Sequence, residues 1–187
     1  MKKKRNLYLI TLSFFLLGLI NINLAWFGLL CFTLPFYLLF RDNSKTWCKK
    51  YCPRADLFCF AFDNKKNKKR ELHKWFKGRK LKKVVLGYFA LNLFVIIMST
   101  SMVALFDEPA VEKVRFLIAF EIPWNLPQLI VLSNIPQWVI HFSYRIYSMM
   151  LTSTVIGLWL GYLYKSRTWC LICPVNTLSD IKLSKTI

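Results

Sequence analysis

Residues 7–40 read LYLITLSFFLLGLININLAWFGLLCFTLPFYLLF and carry no charge across 34 positions. A lipid bilayer accepts such a stretch; a small water-soluble core does not. A spanning helix needs roughly 20 residues, because the hydrocarbon core is about 30 Å thick and a helix rises about 1.5 Å per residue. The block is too long for one upright span and slightly short for two. Asn21-Ile22-Asn23 interrupts it near the middle, so the pattern predicts two short helices, about 7–21 and 24–40, closed as a tight hairpin. One long tilted helix is the alternative. No small-x-small cleavage site follows the first run, which argues against a removable signal peptide.

The remainder of the chain repeats the contrast between lipid-like and charged blocks. Residues 41–83 hold 16 of the 27 Lys and Arg. Residues 84–105, VVLGYFALNLFVIIMSTSMVAL, and 144–164, YRIYSMMLTSTVIGLWLGYLY, each predict a span. Between them, 106–143 carries four acids and two bases and is broken by Pro109, Pro123, Pro127 and Pro136, which predicts interfacial or re-entrant pieces. A net charge of +18 in a chain that is 56% hydrophobic could signal a nucleic-acid binder if the residues were mixed. Their segregation instead marks an all-α polytopic membrane helical bundle, one membrane domain over 1–187, with four transmembrane helices. With four spans the basic stretches 2–5, 41–83 and 165–187 share one side, cytoplasmic by the positive-inside rule, and 106–143 lies outside. Multi-pass insertion in the inner (plasma) membrane follows, with both termini cytoplasmic.

Against this background six cysteines stand out. Thr46-Trp47-Cys48-Lys49-Lys50-Tyr51-Cys52-Pro53 and Thr168-Trp169-Cys170-Leu171-Ile172-Cys173-Pro174 align as [Lys/Arg]-Thr-Trp-Cys-x(2–3)-Cys-Pro-x-x-x-Leu, ending at Leu57 and Leu178. Seven matched positions read as an internal repeat whose halves each deliver two thiolates. Four thiolates in one place suit a [4Fe–4S] cluster or a structural zinc site, and a reducing cytoplasm disfavours disulfides. Proline directly after the second cysteine of both halves favours iron–sulfur. Zinc usually staples a domain that lacks a core, which a membrane bundle does not need. Zinc- or copper-handling by the same thiolates, and a scaffold or assembly role with a structural cluster, remain the alternatives. Cys48, Cys52, Cys170 and Cys173 are the candidate cofactor-binding and metal-ligating residues.

The stretches WCKKYCPRADLF and WCLICPVNTLS resemble the paired Cys-x(2–3)-Cys-Pro motifs of membrane-bound 4Fe–4S-binding proteins, a family that includes membrane subunits accessory to nitrate reductase and membrane regulators of nitrous-oxide reductase. The resemblance covers the motifs and their flanking spans. It implies membrane electron transport, with a redox protein partner. The chain differs from larger members in lacking a ferredoxin-like cysteine array and a flavin domain, so an electron-transfer subunit is expected rather than a stand-alone enzyme.

Other features add less. Lys45, Lys49, Lys50, Arg54, Lys165 and Arg167 flank the motifs and would offset the negative charge of a thiolate-bound cluster, although positive-inside bias alone explains many of them. Trp47 and Trp169 either wall the site or belong to the interfacial aromatic belt. Cys59 reads as a bystander or spare ligand, and Cys31 as packing. His141 reads as structural, with a quinone or proton role as the rarer option, and two histidines on opposite faces argue against bis-histidine haem. Gly157 and Gly161 have the GxxxG spacing of closely packed helices. KKNKKRELHKWFKGRKLKK, residues 65–83, reads as a basic helix on anionic membrane lipid, with docking of an acidic carrier second and nucleic acid a distant third. No nucleotide-binding loop, hydrolase triad or paired catalytic carboxylates appear in the sequence.

Overall fold

The chain forms an all-α membrane helical bundle, described by a computed structural model over residues 6–62, 78–106, 109–111, 113–117, 120–121, 128–129 and 135–184. In chain order the helices are α1 (Tyr8–Ile20), a 3-10 segment (Ile22–Leu29) continuing into α2 (Leu30–Asp42), a π-helical turn (Trp47–Tyr51), α3 (Pro53–Phe62) and α4 (Arg79–Phe106). A two-stranded antiparallel ribbon, β1 (Arg115–Phe116) and β2 (Phe120–Glu121), pairs Arg115 with Glu121. The helices α5 (Gln137–Leu163), α6 (Thr168–Ile172) and α7 (Pro174–Ser184) complete the described chain.

The charge-free block breaks where its asparagines stand. Asn21 is extended, and its Oδ1 accepts from the Asn23 backbone N–H at 2.9 Å and from Asn23 Nδ2 at 3.0 Å. A short polar side chain thus caps the next helix. The break leaves α1 with 13 residues, about 20 Å, short of the hydrocarbon thickness. The following helix gains instead: Ile22–Asp42 runs for 21 residues, and its 3-10 part rises about 2.0 Å per residue. Among the described residues three helices therefore reach spanning length, Ile22–Asp42, Arg79–Phe106 and Gln137–Leu163, where four spans were expected, and α1 is a shorter apolar helix.

Two other boundaries shift. α4 starts at Arg79, so the last basic residues before the apolar block form its first turn. Residues 63–77, with His73 and most of the expected surface helix, lie outside the described residues. α5 starts at Gln137 rather than 144 because Pro136 begins the helix: its carbonyl accepts from Val139 N–H at 3.0 Å and Ile140 N–H at 3.4 Å. Proline has no N–H to lose at a helix entrance. The ribbon is the described part of the segment expected to be interfacial or re-entrant.

Two compact units are distinguishable, one from Met1–Leu12, Phe32–Tyr88 and Thr154–Ile187, the other from Ser13–Cys31 and Phe89–Ser153. The second is organised by Ile22, Ala25, Val114, Tyr144 and Tyr147, with Phe14, Phe15, Ile140 and Leu151 packed around them. Gly18 admits the Tyr147 ring so closely that a Cβ there would lie 2.4 Å from it. On the ribbon, Arg115 and Lys113 reach the Glu121 carboxylate at 2.6 and 3.2 Å. The first unit holds both cysteine motifs.

Candidate metal centre

The two halves of the repeat share a local design. Each second cysteine is extended, Cys52 with ψ 109° and Cys173 with ψ 132°, and each is followed by a proline that opens a helix, α3 or α7. A residue before proline is pushed towards extended backbone, and proline suits the first helical position. Each cysteine carbonyl then accepts the first helical bond, Cys52 from Asp56 N–H at 3.3 Å and Cys173 from Thr177 N–H at 3.0 Å. Backbone N–H groups of Val175 and Asn176 are directed at the Cys173 sulfur, so this side chain caps α7. Each Cys-Pro pair is therefore a helix start, and at Cys173 the cap is a thiol.

The halves differ by one residue in cysteine spacing, and backbone winding absorbs the difference. Between Cys48 and Cys52 the chain makes a π-helical turn, with Cys52 N–H bonded to the Trp47 carbonyl five residues back at 3.0 Å. Cys170 instead lies in the α-helical turn α6, anchored by Thr168, whose hydroxyl meets the Lys165 carbonyl at 2.9 Å and the Lys165 N–H at 3.1 Å. A π turn accommodates one extra residue per turn, and such turns concentrate at functional sites.

Packing joins the halves within the unit. Phe58 and Phe62 lie one helical turn apart on α3, and Gly157 and Gly161 one turn apart on α5. A Cβ at Gly157 would stand 2.3 Å from Phe58 Cζ, and one at Gly161 would stand 2.8 Å from Phe62 Cδ2. The GxxxG face thus receives two aromatic rings from the helix that follows the first motif, and Phe58 is fully buried. Asp180 on α7 pairs with Lys45, just ahead of the first motif, and with Lys82 on α4 at 3.2 Å. Lys182 Nζ lies 3.6 Å from the centre of the Phe40 ring at the end of α2. Asp56 on α3 accepts the Tyr8 backbone N–H at 3.1 Å at the start of α1, where a carboxylate is favoured by the helix dipole, and Tyr8 stacks on Phe60 with ring centres 4.2 Å apart.

All six cysteines are free thiols, and the four motif thiols lie within electrostatic reach of one another. Burial pushes Cys48 up to about 11, with Cys173 and Cys52 adding to the shift and Lys45 opposing it. Burial pushes Cys170 up to about 12, helped by Cys52 and Cys173 and opposed by Arg167. Cys173 is raised by burial too, against the pull of Arg54 and its helix amides. Such thiols are protonated at neutral pH, so a metal entering the site must displace protons. Among the described residues, no group of three or more His, Cys, Asp or Glu stands close enough to hold a single metal ion. Mononuclear zinc and an iron–sulfur cube both take four thiolates, and a sulfur-only donor set beside cations suits either group.

Of the six flanking cations, Lys45, Arg54 and Arg167 act directly on a motif thiol. Trp47 and Trp169 are half-buried beside the first cysteine of each motif. Cys59 is closer to the site than its bystander role suggested, since Arg167 Nε donates to its sulfur at 3.3 Å. Seven residues after Cys52, Cys59 lies two turns further along nearly the same helix face, a spacing visible in the sequence. Cys31 is half-buried in the other unit. His141 also belongs there and is almost fully buried. Its Nδ1 accepts the Val111 N–H at 3.2 Å, and its Nε2 lies 3.1 Å from Ser99 Oγ and accepts from Arg145 Nε at 3.5 Å. Both nitrogens are thus occupied by the protein. Asp180 went unnoticed in the sequence, where it is one acid on a short mixed helix.

Comparison with family models, with curated proteins and with solved structures finds no match. Fold and site together define a class, an all-α membrane protein that gathers two cysteine pairs from distant parts of its chain into one compact unit.

Proposed function

We propose that the chain is a membrane electron-transfer protein that holds one [4Fe–4S] cluster on Cys48, Cys52, Cys170 and Cys173 at the cytoplasmic face of the inner membrane. The observation that carries this is the pairing of the repeat: two thiols from each half, more than a hundred residues apart, fall in one compact unit and act on one another. Among the described residues, two helices of spanning length, α4 and α5, lie between the motifs. An even number of crossings returns the chain to its starting side, whatever α1 does. Most lysines and arginines accompany the motifs, which supports a cytoplasmic site. The cluster would supply a one-electron carrier. The chain's own part is to provide four half-buried thiolates and to offset their charge with Lys45, Arg54 and Arg167.

Iron and acid-labile sulfide per chain test the proposal. Four irons and four sulfides in a brown protein that is reversibly reduced are expected, by the composition of the cluster. A colourless, zinc-loaded protein overturns the proposal in favour of metal handling. A cluster that cannot be reduced reversibly assigns it a scaffold role.

A further inference from the structure

The charge of the molecule is divided unevenly. The unit with both motifs contains 24 of the 27 Lys and Arg and five of the nine acids, a formal +19, while the other unit carries −1. Near the thiols, Lys45 and Lys82 are engaged with Asp180. Lys49, Lys50, Lys165 and Arg167 are exposed to solvent. So are Tyr51 and Leu171, each 40% exposed and each lying between the two cysteines of its motif. Ala55, Phe58 and Val175, which follow the cysteine pairs, are buried, and so is Ile172 beside Leu171. Tyr51 and Leu171, with the cations around them, therefore form the outer wall of the site.

We propose that this wall is the docking patch for a small acidic electron-carrier protein, with Tyr51 and Leu171 making apolar contact and Lys49, Lys50, Lys165 and Arg167 drawing in its negative face. The inference rests on the cluster proposal and names the partner's chemistry. Transient electron-transfer complexes bury little surface, which six side chains can supply. Complementary charge speeds their encounter more than it tightens it.

The test uses the full-length protein, cluster-loaded and metal-free, in nanodiscs of neutral phosphatidylcholine. The probe is a strongly acidic plant-type ferredoxin. Binding that weakens with added salt is expected. It should fall roughly tenfold when Lys49, Lys50, Lys165 and Arg167 are all changed to Gln, as several modest charge contacts together predict. Tyr51→Ser and Leu171→Ser should each weaken it further. In a triple variant that spares Arg167 and changes only Lys49, Lys50 and Lys165, iron content and reduction by a small uncharged dye should stay unchanged while binding still weakens, which separates docking from damage to the site. Ferredoxin binding equal in wild type and variants overturns the inference. So does a variant that loses only retention on phosphatidylglycerol vesicles, which would make the patch a lipid surface. Absence of iron in the wild type refutes the cluster proposal, while binding by the metal-free chain still decides the patch.

Discussion

At the scale of single residues, the four motif cysteines should behave as one site. Serine at Cys48, Cys52, Cys170 or Cys173 is expected to abolish or destabilise the same cluster signal, measured as iron per chain and as the reduced-state resonance spectrum. Cys31→Ser and Cys59→Ser should leave iron in place; loss of iron in Cys59→Ser would show that the first half supplies three ligands. Asp180 invites a different measurement. Burial disfavours its charge, but hydrogen bonds from Lys45 and Lys82 outweigh burial and hold the carboxyl below its ordinary value of 3.8. A carboxyl depressed by folding stabilises the fold above its unfolded value and loses that contribution as pH falls through the folded one. Asp180→Asn should therefore lower the melting temperature in detergent at neutral pH, and the gap to wild type should close below pH 3.8. A gap that persists at low pH would mean that Asp180 acts through packing. The cysteines were readable in sequence because seven positions recur in register. Asp180 was not, since its partners are 135 and 98 residues away and nothing local marks them.

Among the elements, the contact of α3 with α5 invites the sharpest test. Gly157→Ala drives a Cβ to 2.3 Å from the fully buried Phe58 ring, which cannot swing aside. Overpacking of this kind costs about 1–3 kcal/mol. Phe58→Leu in the same chain should recover part of the loss, because contacting residues are not additive. Gly87 on α4 is the control: a Cβ there meets nothing within 4 Å, so Gly87→Ala should not destabilise. Thermal unfolding of the three variants checks all of this, and equal losses at both glycines would remove the packing explanation. The spans were legible because bilayer thickness imposes a length on apolar runs. The GxxxG spacing showed that something comes close to α5, but Phe58 and Phe62 could not be chosen from sixteen phenylalanines without coordinates. The limits of α1 were legible to within a residue from Asn21-Ile22-Asn23, whereas the start of α5 escaped because its proline entrance precedes an apolar stretch in which hydropathy is blind to backbone hydrogen bonds. The π turn escaped for a similar reason, since an insertion in a repeat looks the same in sequence whether a loop or a helix absorbs it.

For the molecule as a whole, topology is the quantity to measure. Labelling at single introduced cysteines or reporter fusions should place Lys182 and the 41–83 segment on the cytoplasmic side and Glu108 outside. Glu108 and Lys182 on one side would remove α5 as a crossing. The N-terminus is expected on the cytoplasmic side as well, a result that depends on α1 and the helix after it crossing as a pair. The division of charge into +19 and −1 between the two units also has a bioenergetic consequence. A respiring cell keeps its interior electrically negative, and about 2.3 kcal/mol is needed to carry each positive charge outward against a potential of ~100 mV. On the proposed topology, the membrane potential would hold the unit that gathers the cysteines to the interior, and most firmly in a well-energised cell.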